Sequence, residues 1–419
     1  MVAQHDKLTG LPSPGRREVL AGLAAVTAVG AAPQAVAASF PGWAKVAPAR
    51  SGRLLRVSSL AGEGPGSLRA AIEAEGPRTV VFDVAGIIDL GRKSLQVKNP
   101  HLTIDGASAP SPGITLIRGG VSITTDDVVI RHIRVRPGQD GAAKGSGWEV
   151  DGLSCRAAHD VWIDQCSFSW ATDEGLSASG PRFNGSNVQA WREGTSRRIT
   201  FSNNIVAEGL SDSSHAKGEH SKGSLIHDNV TQALIVGNLY AHNLERNPLF
   251  KGGVSAVCVN NLIYDPGKKA IHYALFPKEW GTHPAEVGRL ALVGNVVRGG
   301  PSTALDVPFL MLEGAGDLDL FASGNLATRL DGSAMPLVGF RPVGRTPSVR
   351  SLARAPLWPQ GLQPLPSHRV EAQVLAAAGA RPWDRDVVDQ RIVRQVRERT
   401  GRIIDNEDDV GGRQVVKGR

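Results

Sequence analysis

Between Glu149 and Asn325 the chain repeats one short unit, an apolar or β-branched run that passes into a turn, usually at asparagine. The runs are VWIDQC, ITFSNN, ALIVGN, AVCVNN, LALVGN and LDLFASGN. The residues that follow them are Cys166, Asn204, Asn238, Asn261, Asn295 and Asn325, at spacings of 38, 34, 23, 34 and 30. Strands this short, broken by turns and with no helical period between them, predict a coiled or layered all-β protein. The uneven spacing excludes a strict-repeat solenoid and suits coils in which some turns are tight and others carry long loops. Asparagine tolerates left-handed geometry and its amide pairs with spare backbone groups, so stacked equivalents would form an internal ladder. A propeller or sandwich would show cleaner hairpin signals, and the single Asn-Gly pair, Asn184-Gly185, lies in a loop.

Outside this body the pattern changes. Arg16-Arg17, the run VLAGLAAVTAVGAA and Ala35-Val36-Ala37 read as an export signal of twin-arginine character over residues 1–37, cleaved near Ala38 and leaving no stable membrane anchor. Residues 38–54 form a lead-in. GSLRAAIEAEG (Gly66–Gly76) predicts a helix that covers the open first edge of the β stack, and the β domain spans 55–330. Residues 331–419 read as an extension packed on that domain. They contain proline-rich stretches and two helical stretches, with Val387, Val388, Ile392 and Val396 on one apolar face and Gly401 as a stop. The acidic end DNEDDVGG is expected to fray into solvent.

A net charge of +7 admits nucleic acid, an anionic polymer or a membrane surface. No long Lys/Arg run or aromatic ladder accompanies it, so nucleic acid is not expected as a partner. Cys155, Cys166 and Cys258 lie in or beside β patterns and read as buried thiols, a Cys155–Cys166 disulfide being the alternative.

The turns carry the chemistry. Asp151, Asp173 and Glu174, without His or Cys at ligand spacing, suit a hard cation such as Ca²⁺, or else cap turns. His215 and His220 are five residues apart in a Gly-containing loop, a spacing that indicates neither a zinc pair nor a triad. Lys222, Arg246 and Lys251 flank strand patterns and form either a cationic set on one face or solvated charges. Arg134 and Arg136 alternate with Ile133 and Val135, which makes them an outward basic strip or an extension of a binding groove.

The motif HDVWIDQCSFSW resembles the Trp-Ile-Asp-His pattern of the pectate lyase family, and LERNPLFKGG resembles its Arg-x-Pro-x-x-Arg segment. With SLRAAI…VVFDVAG…ID, the likeness covers roughly residues 55–300. It implies a right-handed three-sheet parallel β-helix, Ca²⁺ as cofactor, and anti β-elimination on polygalacturonate, an acidic plant polysaccharide; with the export signal, a secreted monomer is expected. By the same resemblance Asp151 and Asp173 become Ca²⁺ ligands. Ser177 stands where a further carboxylate is expected, with Glu174 as its substitute. Lys222 binds the substrate carboxylate, Arg246 abstracts the C5 proton, and Lys251 replaces a substrate-binding arginine at the loss of its bidentate fork. Gln165 replaces a supporting histidine. Two rivals remain: a β-helix glycoside hydrolase, which needs paired carboxylates at a suitable separation, and a non-catalytic polyuronate-binding β-helix.

Overall fold

The computed structural model describes residues 42–46 and 52–412, so the arginine pair, the apolar leader and the cleavage site lie outside the described residues. Every strand pairing between neighbouring coils is parallel, and the strands stack into three sheets of 11, 9 and 9 strands. One coil runs Arg197–Ser202, Ile205–Ala207, Leu225–Ile226, giving one strand to each sheet in turn. The next coil repeats the order three strands later. The coil is right-handed, as parallel crossovers are. Alternate residues of each strand point into the bore, where Ile163, Phe201, Ile235, Cys258 and Leu292 form part of one continuous apolar core.

The turn from the first sheet to the second takes only two residues, and that constraint selects asparagine. The first of the two adopts the left-handed conformation, at Gln165 (φ 48°), Asn203 (φ 52°) and Asn260 (φ 53°), with glycine at 237 and 294. The second turns its amide inward. Asn204 Nδ2 donates to Asn238 Oδ1 (3.0 Å), Asn238 to Asn261 (2.9 Å), Asn261 to Asn295 (2.9 Å) and Asn295 to Asn325 (3.1 Å). The ladder starts at Cys166, whose amide donates to Asn204 Oδ1 (2.9 Å). All six marker positions of the sequence pattern therefore belong to one column. The three cysteines are free and buried, without a disulfide, Cys166 and Cys258 lying in or beside the column.

The ends and outer faces are covered by the remaining elements. Helix α1 (Leu68–Glu73), capped by Ser67, buries Leu68, Ala71 and Ile72 at the amino-terminal end. It is shorter than the sequence pattern suggested, because Arg78 takes over its carboxyl end by donating to Ala71 O (3.2 Å) and Ile72 O (2.6 Å). Short helices α2 (Val188–Gly194) and α3 (Pro277–Trp280) sit in loops that leave the third sheet. Helices α4 (Ser367–Ala377) and α5 (Val387–Glu398) pack Val370, Val374, Ile392 and Val396 against Ile205, Leu239 and Leu262 on the outer face of the second sheet. The proline-rich segment lays Leu357, Trp358 and Leu362 on the outer face of the first.

Three expectations fail here. Val387 is exposed, and Val393 takes its place on the buried face. Arg399 ends α5 in a left-handed cap, two residues before Gly401. The acidic end does not fray as far as Gly412: Glu407 is buried and accepts the amides of Gln139 (2.9 Å) and Asp140 (3.3 Å), two backbone donors that would otherwise lack partners.

Candidate active site

Each coil enters the third sheet through a turn, and four successive entries carry charge. Asp151 precedes Leu153–Arg156, Asp173 and Glu174 precede Leu176–Ser179, Lys222 precedes Leu225–Ile226, and Glu245-Arg246 precedes Leu249–Lys251. Parallel bridges Glu174–Lys222 and Lys222–Glu245 place these residues in one row across neighbouring coils. Close packing of the coils fixes the row. A Cβ at Gly223 would lie 2.4 Å from the carbonyl oxygen of Arg246, so only glycine lets the two turns approach this closely. Arg246 itself sits at φ 65°, a conformation rarely adopted by a residue with a side chain.

The structure brings Asp151, Asp173 and Glu174 together, with one oxygen of each within 4.8 Å of the others. Asp151 accepts the Glu174 amide (3.1 Å), and the Glu174 carboxylate forms an ion pair with Arg246. Asp173, Glu174 and Arg246 line a cleft of about 440 Å³ together with His220 and Lys251, and Asp151 lies behind them. Burial, and then the charge of Asp173, pushes Asp151 up to about 7. For Asp173, burial acts upward, but the His220 hydrogen bond and the charges of His220, His215 and Arg246 hold it below the ordinary carboxylate value. Burial lowers the Arg246 guanidinium from the usual arginine value, against the opposing charges of Asp173 and Asp151.

The two lysines are placed differently. Lys222 is buried, its amine turned onto Glu245, and it does not line the cleft. Lys251 does line the cleft and pairs with Glu279. Lys269 joins Glu245 and Glu313 (2.8 Å each), and Arg182 joins Asp228 (2.9 Å) and Glu279 (3.1 Å). The cations expected to stand ready for an anionic ligand are thus largely matched by the protein's own carboxylates. Burial acts to raise Glu245, yet Lys222, His272 and Lys269 together hold it well below its ordinary value.

Arg134 and Arg136 require correction. They form neither an outward strip nor part of the groove: both are about 1 % exposed, beneath the carboxyl-terminal helices. Arg136 bonds Asp386 through both amino groups (2.5 and 3.0 Å) and Asp389 (2.9 Å). Arg134 donates to Pro112 O (2.7 Å) and Asp384 O (3.1 Å). The period of two does place them on the outer face, but the extension covers that face. Gln165 likewise serves the extension, donating to Ala377 O at the end of α4 (3.3 Å).

Chain spacing indicates no pairing of His215 and His220, yet the fold brings them together. His215 and His220 stack with ring centroids 3.5 Å apart, and both approach Asp173. The intervening loop turns back on itself, with Gly218 N bonded to His215 O (3.1 Å) and His220 N to Ser211 O (2.8 Å). Spacing in the chain carried no sign of that closure. Ser177, at the expected carboxylate position, is buried with its hydroxyl unpartnered, and Glu174 occupies the acidic cluster instead.

No family model matches the chain. Among curated proteins it is similar to probable pectate lyase C of Aspergillus terreus, 33 % identical over 272 residues, and of Aspergillus flavus, 32 % identical over 272 residues; each match covers 64 % of this chain and 56 % of the relative. The matched region thus spans little more than half the length of those relatives. Among solved structures, jun a 1, the major allergen from cedar pollen, superposes with a TM-score of 0.55 at 17 % identity, over 79 % of this chain and 89 % of that one. A pectate lyase from Bacillus sp. N165, in complex with trigalacturonate, superposes with a TM-score of 0.51 at 15 % identity, over 81 % and 98 %. Joined to the three-sheet coil, these likenesses show a right-handed parallel β-helix that resembles the pectate lyases.

Proposed function

We propose that the protein is an exported, calcium-dependent polysaccharide lyase that cleaves polygalacturonate or a related polyuronate by anti β-elimination. The observation that carries this reading is the contact of Arg246 with the Asp151–Asp173–Glu174 cluster at an open cleft. The donors suit a hard cation: three carboxylate oxygens, with Asp151 pushed up to about 7 by burial and a like charge. Held by Asp151, Asp173 and Glu174, calcium would supply positive charge that fixes the sugar carboxylate and makes the neighbouring C–H more acidic.

The protein's own groups do the rest. Arg246, its proton affinity reduced by burial, takes the C5 proton as the neutral guanidine, once its tie to Glu174 is released and its own proton has been lost to solvent. The electron pair of that bond forms the C4–C5 double bond, and the glycosidic oxygen leaves C4 with the other half of the polymer. Lys251, on the cleft wall, exchanges Glu279 for a sugar carboxylate in the next subsite. Lys222 holds Glu245, and so the turn that presents Arg246, and acts as a positioning residue.

A glycoside hydrolase fits less well. It needs two carboxyl groups free on either side of the scissile bond, whereas Asp173 and Glu174 are adjacent in the chain and already paired, with His220 and with Arg246. The ultraviolet absorbance of an unsaturated uronate, followed with and without chelator, tests the reading. Reducing ends formed without that absorbance would mean hydrolysis, and retention on the polymer without any product would mean a binding protein.

A further inference from the structure

The wall of the cleft formed by the 211–221 loop carries donors for which the lyase reading has no use. His215 and His220 lie face to face, their planes 12° from parallel, and both direct Nε2 at the same Asp173 oxygen, 3.8 Å and 2.7 Å away. One imidazole suffices to hydrogen-bond that oxygen. The second is beyond hydrogen-bond distance although its side chain is 1 % exposed, so bonding to Asp173 does not account for its burial. Behind it, Glu149 Oε1 is held by the Ala216 amide (3.0 Å) and stands 3.4 Å from His215 Nδ1. A carboxylate behind an imidazole whose far nitrogen faces other donors is the arrangement that orients a ligating histidine.

We propose that Asp173, His215 and His220 bind a divalent cation of the zinc type, at a site adjoining the all-oxygen cluster and distinct from it. One donor atom of each lies within 4.8 Å of the others, which puts all three around a common point for a cation with metal–nitrogen bonds of about 2.0–2.1 Å. Calcium takes oxygen ligands, whereas two imidazoles and a carboxylate select zinc, cobalt and their neighbours. Nδ1 of His215 accepts the Lys217 amide here (3.1 Å). A cation on Nε2 leaves the ring proton on Nδ1, which then donates to Glu149 in place of accepting the Lys217 amide. Three protein ligands leave coordination positions open, and because Asp173 and His220 line the cleft, those positions face it. Sharing of Asp173 makes the two cations compete.

The site is a property of these side chains whether or not the protein is a lyase. The test uses the full chain stripped with chelator and titrated with Co²⁺, read by its visible absorption, and with Zn²⁺, read by calorimetry. One equivalent of Co²⁺ is expected to give a band of nitrogen-ligated cobalt that Zn²⁺ abolishes and that excess Ca²⁺ weakens without replacing. His215→Ala and His220→Ala should each remove the band while the circular dichroism stays unchanged. Glu149→Gln should weaken binding about 10–100-fold, and Asp151→Asn should leave the band in place. A band indifferent to both histidine substitutions, or lost with Asp151→Asn alone, would overturn the assignment. A polymer left uncleaved while the band persists would count against the lyase reading only.

Discussion

Replacing Asp386 with alanine should loosen the carboxyl-terminal helices from the β-helix. Asp386 is bonded to both amino groups of Arg136 and also caps α5 by accepting the Asp389 amide (3.0 Å). Its removal leaves a guanidinium buried in apolar surroundings with Asp389 as its remaining carboxylate partner. Breaking one side of a buried pair costs about 3–5 kcal/mol, and loss of a helix cap costs about 1 kcal/mol. With Asp389 retaining part of the charge compensation, the total should be about 4 kcal/mol by urea unfolding. The exposed pair Arg56–Asp83 provides the control, since Asp83→Ala should cost less than about 1 kcal/mol. The same pair sets an acid limit. The charge of Arg136 and its hydrogen bonds hold Asp386 well below the ordinary carboxylate range, against the burial that acts to raise it. Its contribution is therefore complete above the unfolded value of about 3.9 and is lost as pH falls toward the folded one. An Asp386→Ala variant no less stable than Asp83→Ala would refute the burial of Arg136 and restore the outward strip suggested by the sequence.

Other outcomes follow from the same geometry. Burial lowers Arg246 from the usual arginine value and the base acts in its neutral form, so kcat/KM should rise toward alkaline pH; a profile that falls from pH 7 to 10 would contradict its role. Gly223→Ala forces the Arg246 turn outward, and should reduce kcat far more than it lowers the thermal midpoint; equal loss of both would mean the contact only supports the fold. Asn261→Ala breaks the ladder on both sides and strands the Asn238 amide, at a cost of about 2–3 kcal/mol in denaturant, where under 0.5 kcal/mol would show that the ladder carries little stability.

How much the sequence revealed depended on whether a residue's role is local to its own coil. The ladder was legible at all six marker positions, because a two-residue turn with one left-handed residue recurs in each coil and selects asparagine at five of them, Cys166 starting the column through its backbone amide. The acidic cluster and Arg246 were legible because each sits at the entry of its own strand. Arg134 and Arg136 were misread because their partners, Asp386 and Asp389, lie about 250 residues away on a helix whose docking no period in the strand records. The closure of the 211–221 loop left no trace in the spacing of His215 and His220 for the same reason. The neutralising partners Glu245, Glu279 and Glu313 were missed because adjacent coils, not adjacent residues, bring them to the lysines. The arginine pair near the amino terminus lies outside the described residues, so the twin-arginine route rests on sequence alone.

The central claim is that Arg246, set against the three carboxylates, removes a proton from a uronate. The most direct measurement follows unsaturated product from polygalacturonate with the wild-type chain and with Arg246→Ala, together with retention of both proteins on the polymer. The account predicts chelator-sensitive product from the wild type, a loss of about 10²–10⁴-fold in the variant, and retention largely unchanged. Undiminished product from the variant would place the base elsewhere, and no product from the wild type under any cation would contradict the account.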